Sequence, residues 1–222
     1  RLGRADRCSR AARGVREPGG APRARFLRRL PLALVAALVL WLLLRPALDH
    51  AVAGLAQTLV RAYEYPRVTR LVVADHRAEV RRADFRTSSG ILALALTEIH
   101  FNLIVLLALA LALPRPFSRR QLERLFMGCC VLYFTQALNL VFHIKTLYAL
   151  GLGEWSQANY SDLARNLFGF GRYFTDLPGR FSFPFLIWLG FNWDTVFAMI
   201  GARTDAEAPR KAAKTRTKSL QR

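Results

Sequence analysis

The chain has 222 residues, of which 53% are hydrophobic, and it carries a formal net charge of +18. The two extremes are separated along the sequence. Residues 1–29 hold ten Arg, residues 203–222 hold seven Lys or Arg, and the apolar residues lie between them. This separation argues against a soluble domain and favours a membrane protein with basic cytoplasmic ends. It also argues against a nucleic-acid partner, because neither end interleaves aromatic residues with its charges.

The first predicted element is a disordered basic cytoplasmic tail, residues 1–25, rich in Arg, Ala and Gly. A first membrane span follows at about 28–48, centred on an apolar run, and residues 47–63 continue as an amphipathic helix. A cleaved signal peptide is the alternative, since Ala51-Val52-Ala53 resembles a cleavage site. That site lies several residues beyond the apolar run, which favours an uncleaved anchor.

The second predicted element is a small β meander outside the membrane, residues 66–96. Short runs rich in Val and Arg, separated by Asp75-His76-Arg77, predict a hairpin. Ser88-Ser89-Gly90 predicts a second turn, followed by a third strand. The alternative is that residues 91–113 form one long helix.

Three further spans are predicted at about 97–113, 125–144 and 183–200, with an interfacial segment at 154–177 and a basic cytoplasmic tail at 201–222. The fold class is therefore a mainly α membrane protein with four transmembrane helices, contained within residues 26–200. Basic residues concentrate in the ends and in the connection after the second span. This distribution predicts a multi-pass protein of the cell inner membrane with both termini in the cytoplasm.

Polar side chains inside the predicted spans form the candidate site, because such residues cost free energy in a bilayer. The third span places three of them on one helix face, and two in the second span share a face at i, i+4. We expect them to meet in a polar intramembrane pocket or to serve only as hydrogen-bonding links between helices. The residues are Glu98, His100, Asn102, Gln136, Asn139 and His143.

Neither a catalytic set nor a metal or cofactor site can be assembled from the sequence. Cys129 and His143 are separated by about 21 Å along one helix, too far for a dyad. Ser88 with His100 or His143 is conceivable, but no third group orients the pair. Contacts with anionic lipid are expected from Arg residues that flank the spans. These residues are Arg28, Arg29, Arg119 and Arg120.

The stretch Tyr133-Phe134-Thr135-Gln136-Ala137-Leu138-Asn139-Leu140-Val141, together with the basic anchor, outer β segment and Leu-rich spans, resembles the exosortase/archaeosortase group. The size and layout are similar to the small exosortase H-associated membrane proteins. The resemblance implies a relative of membrane transpeptidases. These enzymes use Cys, Arg and His to process proteins that bear a C-terminal sorting segment. Here Asn139 stands at the Arg position, and Ser88-Ser89-Gly90 corresponds at best to the nucleophile motif.

These departures imply a non-catalytic companion of a sorting enzyme. We therefore expect an accessory or assembly protein that binds a membrane partner through its outer domain and polar intramembrane face. Two alternatives remain: a membrane-embedded peptidase or transpeptidase, and a small subunit of a larger membrane complex.

Overall fold

The computed structural model describes residues 20–82 and 92–200. Within these ranges the chain is mainly helical and contains a three-stranded antiparallel sheet, as predicted. The predicted turn at Ser88-Ser89-Gly90, the tail 201–222 and residues 1–19 of the first tail lie outside the described residues. The elements are α1 Gly20–Ala62, β1 Thr69–Ala74, β2 Arg77–Arg82, β3 Leu92–Ala95, α2 Leu96–His100, α3 Asn102–Leu111, α4 Arg119–Leu150, α5 Glu154–Asn159, α6 Asp162–Phe174, a π-helical turn Thr175–Gly179 and α7 Arg180–Ile200.

Helix α1 is a single helix of 43 residues that continues through Pro31 and Pro46. It begins earlier than predicted, so residues 20–25 are helical. Most of its large apolar side chains between Leu27 and Leu44 are exposed, although Trp41 is buried, and beyond Leu44 to the end of the helix none is exposed. An apolar surface of this extent is typical of a helix that faces lipid, whereas the later part of α1 packs into the protein core.

The sheet has the strand order β1-β2-β3, with both neighbouring pairs antiparallel. A two-residue turn joins β1 to β2, and its residues Asp75 and His76 have φ values of 47° and 60°. Both central residues of a type I′ hairpin turn need positive φ, which Asp tolerates better than most residues. The alternative of one helix over residues 91–113 is wrong for residues 92–95, which form β3.

The core joins the sheet to the later part of α1 and the later part of α4. Buried aliphatic residues from all of these elements contribute, together with the fully buried Tyr148. Ala51-Val52-Ala53 lies inside α1, where Val52 and Ala53 are buried. The buried members of this cluster are Val52, Ala56, Val60, Ala78, Val80, Leu96, Ile99, Leu140, Ile144 and Tyr148.

The helices after the sheet alternate in direction. Asn102 contacts Gln136, and Leu106 lies beside Gly128, so α2 and α3 run antiparallel to α4. Ser118 caps α4, and Ser161 caps α6. Helix α7, which contains the predicted fourth span 183–200, begins at Arg180.

Two helices are long and apolar enough to cross a membrane within the described residues, at 24–62 and 119–150. The apolar helical stretch 96–111 is shorter. At 1.5 Å per residue it spans roughly 24 Å, less than the roughly 30 Å hydrocarbon core of a bilayer. The structure therefore gives two candidate spans, where the sequence predicts four.

The chain divides into two compact units. The larger comprises Leu30–Phe191 and holds the sheet and the core described above. The smaller combines Arg1–Arg29 with Asn192–Arg222, and in its described part the rings of Trp193 and Phe197 lie 4.1 Å apart.

Candidate functional site

A buried carboxylate joins three elements of the larger unit. Asp49 of α1 is 1% exposed. Its Oδ1 lies 2.7 Å from Nε2 of His100, and its Oδ2 lies 2.6 Å from Nδ1 of His76. The carboxylate therefore connects α1 to the end of α2 and to the turn between β1 and β2. Because a buried charge without partners is costly, these two contacts are what make Asp49 tolerable at this position.

His100 has both ring nitrogens engaged. The indole Nε1 of Trp41 lies 3.0 Å from its Nδ1. An indole N–H can only donate, so Nδ1 accepts and the ring proton is on Nε2, where it is donated to Asp49. The fully buried imidazole has no nitrogen left to act on a substrate. This arrangement favours a structural role for His100.

Arg45 lies next to this cluster, one helical turn before Asp49 in α1. Its guanidinium carbon is 5.7 Å from the centre of the Trp41 ring, and the same side chain donates to the hydroxyl of Thr97. A cation held over an aromatic face is stabilised by the ring quadrupole. The Thr97 hydroxyl therefore accepts a hydrogen bond from Arg45. Ala95 occupies the N-cap position of α2, and its side chain makes no capping hydrogen bond.

A second cluster surrounds Asp176 in the π-helical turn. Its Oδ1 lies 2.8 Å from Nε2 of His143 and 3.5 Å from Nδ2 of Asn139. Arg172 and Arg180 approach the same carboxylate at 3.6 and 3.9 Å. Two of the predicted site residues on α4 therefore share one acidic partner, which comes from a turn 33 to 37 residues later in the chain.

Two further contacts place the remaining predicted site residues. Gln136 donates from Nε2 to Oδ1 of Asn102 at 2.7 Å, and both side chains are buried. Glu98 is largely exposed and lies 3.5 Å from Arg180. The six predicted residues thus fall into three groups. His100 contacts Asp49, and Asn102 pairs with Gln136. Asn139 and His143 contact Asp176, and Arg180 lies between this carboxylate and that of Glu98.

The sequence did not single out Asp49, Asp176, Trp41 or His76 as site residues. Asp49 follows the apolar run of α1 by only five residues, and an acidic side chain so close to a span is a usable signal. His76 could not be recognised from the sequence, because its neighbours Asp75 and Arg77 indicate only a turn. Its side chain is 44% exposed.

A third polar cluster lies where the sheet meets α4. The hydroxyl of Thr69 donates to Glu64 at 2.7 Å and lies 3.0 Å from the hydroxyl of Tyr148. Arg82 bonds the same carboxylate and lies over the rings of Tyr148 and Trp155 at 4.9 and 5.0 Å. Nearby, burial raises the pKa of the Tyr160 phenol. This cluster fixes the sheet on the helices.

The four arginines predicted to contact lipid are all exposed. Arg119 also pairs with Glu123 at 3.1 Å. Within residues 20–82 and 92–200, no group of three or more His, Cys, Asp or Glu side chains is placed to hold a metal ion. Cys129 and Cys130 are free thiols.

Long apolar helices, paired polar residues between them and a small sheet at one end are typical of a small helical membrane protein. The chain belongs to the family of exosortase H-associated membrane proteins, whose family profile matches residues 20–195. This match confirms the resemblance seen in the sequence. No curated protein and no solved structure matches the chain significantly.

Proposed function

We propose that this protein is a non-catalytic membrane companion of a sorting enzyme. In this proposal it crosses the inner membrane four times, keeps both basic ends in the cytoplasm and carries the sheet on the outer side. Membership of a family described as exosortase-associated membrane proteins supports the choice of partner. The exposed apolar surface of α1 between Leu27 and Leu44 supports the location in a bilayer.

The observation that carries this proposal is the engagement of the polar residues with one another. His100 is held by Trp41 and Asp49, and Asn102 is held by Gln136. Such pairs stabilise contacts between helices in a membrane by about 1 kcal/mol each. We therefore assign these residues to holding the helices in register, and we assign partner binding to the outer domain.

Helix α6 supports an outer boundary for the membrane. One face carries exposed apolar side chains, and the opposite side packs on α4 through the bond from Thr146 Oγ1 to the carbonyl of Phe168 at 2.8 Å. We propose that the exposed face lies among lipid headgroups and upper acyl chains. The side chains on this face include Leu163, Leu167, Phe170 and Phe174.

Co-purification tests the proposed function. The tagged chain, extracted from membranes in mild detergent, is expected to bring down a sorting enzyme in a fixed ratio measured by quantitative mass spectrometry. A tagged, unrelated four-span protein from the same membranes is the control. Recovery of the chain as a monomer that cleaves or transfers peptides by itself would contradict the companion role.

A further inference from the structure

A pocket rich in arginine lies at the outer end of α1, beside the edge strand β1. Its volume is about 550 Å³. Five of its eight lining residues are arginines, and the others are Gln57, Val68 and Thr69. The arginines come from the end of α1, the segment before β1, and strands β1 and β2. They are Arg61, Arg67, Arg70, Arg81 and Arg82.

Most of this positive charge is not neutralised within the described part of the chain. Arg82 bonds Glu64, and Arg81 bonds Glu79. Among residues 20–82 and 92–200, the guanidinium groups of Arg61, Arg67 and Arg70 have no acidic partner. The Nε–H of Arg61 is buried and lacks a hydrogen-bond acceptor there. A buried donor without an acceptor is unfavourable, and it marks Arg61 as poorly satisfied by the described residues around it.

The register of the sheet also places two positive charges side by side. Arg70 of β1 is directly opposite Arg81 of β2, so the two side chains project from the same face. Like charges at opposed positions destabilise a sheet. An anion bound between them would remove this repulsion. A planar guanidinium group can also bind two oxygens of one carboxylate or phosphate at once, which an ammonium group does less well.

Two features limit what the ligand can be. Backbone N–H groups on the open edge of β1 are already used, because Thr69 donates to Glu64 and Leu71 donates to Gln57. An added β-strand therefore cannot pair with this part of the edge. Charge is the second feature, because five arginines line the pocket and only two of them bond a described carboxylate, which favours an anion.

We propose that this pocket binds an acidic peptide segment through its carboxylates. A ligand that carries several carboxylates can reach arginines from α1, β1 and β2 at the same time, whereas a single free phosphate would engage only a few of them. The acidic segment would belong to the partner enzyme or to that enzyme's substrate, so this inference rests on the proposed function.

Binding of a short fluorescent peptide of alternating Glu and Ser to the purified full-length chain in detergent tests this proposal. Fluorescence anisotropy is expected to show binding that weakens with salt, and the same peptide with Gln in place of Glu is expected not to bind. The Arg70→Gln variant should bind about tenfold more weakly, because one charge-assisted contact is lost. The double variant Arg61→Gln/Arg70→Gln should lose more.

Arg77→Gln is the matched control, since Arg77 is also exposed on the sheet and does not line the pocket. It removes the same charge and is expected to leave the affinity within about twofold, as surface charges act weakly at a distance. Circular dichroism checks that every variant is folded. Equal weakening by Arg70→Gln and Arg77→Gln would overturn the proposal in favour of a diffuse charge effect.

Absence of peptide binding would overturn the proposal directly. So would binding of inorganic phosphate or of phosphatidylglycerol vesicles that depends on Arg70 while the peptide does not compete. Co-purification with the sorting enzyme is measured separately on the wild-type chain. A pocket that binds no acidic peptide in a chain that still brings down its partner would refute this inference alone.

Discussion

Single polar side chains in this protein bind across long stretches of sequence. Asp49 reaches His100 over 51 residues, and Gln136 reaches Asn102 over 34. In a membrane the apolar surfaces of helices discriminate poorly between partners, because lipid tails are equally apolar. A few buried polar pairs can then decide which helix faces lie together. The pair Asn102–Gln136 is the simplest of these, since it contains two neutral side chains.

The Asn102–Gln136 pair yields a double-mutant prediction. Gln136→Leu alone leaves the buried amide of Asn102 without its partner and should cost about 1–3 kcal/mol. The double variant Asn102→Leu/Gln136→Leu removes both polar groups and should be closer to wild type in stability. Thermal unfolding in detergent, followed by circular dichroism, measures both. A double variant that is stable but no longer brings down its partner would instead assign the pair to binding.

At the scale of elements, α6 is positioned by close contact with α4. Gly171 lies against the ring of Phe142, and a Cβ at this position would overlap the ring. Gly169, two residues earlier, has only an ordinary contact available, 3.7 Å from Leu150. The lack of a side chain is therefore required at one glycine of this helix and not at the other.

This difference predicts opposite outcomes for two small substitutions. Gly171→Ala should destabilise the protein by about 1–3 kcal/mol, because Phe142 or the helix must move. Gly169→Ala is the matched control and should be neutral or stabilising by up to about 1 kcal/mol, since Ala favours helix over Gly. Thermal stability in detergent measures the contrast. Equal effects of the two substitutions would show that α6 does not pack on α4 in this way.

At the scale of the whole molecule, the number of membrane crossings is the main open prediction. Helices α1 and α4 are each long enough to cross alone, whereas the stretch 96–111 is short. A crossing by this short stretch fits the direction of the helices, because α3 runs antiparallel to α4. A short span can be accommodated by local thinning of the bilayer at modest cost.

Labelling of single cysteines tests this topology in intact cells. With the native cysteines replaced, Asn159→Cys should react with a membrane-impermeant maleimide, because residue 159 is exposed after α4 on the proposed outer side. Arg119→Cys, at the start of α4, should react only after the cells are permeabilised. Labelling of Arg119→Cys in intact cells would reverse the orientation of α4 and contradict the proposed path.

The sequence predicted elements better than contacts. Short runs rich in Val and Arg on either side of Asp75-His76-Arg77 were enough to predict the hairpin. The predicted fourth span starts at about residue 183, whereas α7 begins at Arg180 and contains Pro184, which is fully buried inside the helix. The partners Asp49 and Asp176 were missed because pairing over 33 to 51 residues leaves no periodic signal.

Helix α1 has a mechanical consequence, because one continuous helix carries both an apolar stretch and a wall of the arginine pocket. If its lipid-facing part tilts to match bilayer thickness, the far end moves with it. A tilt of about 10° would displace Arg61 by roughly 4 Å relative to Leu44, over a lever of roughly 25 Å. Because Val52, Ala56 and Val60 of α1 pack in one core with the sheet, the other arginines would move with Arg61, and a change in bilayer thickness would shift the whole pocket relative to the membrane surface.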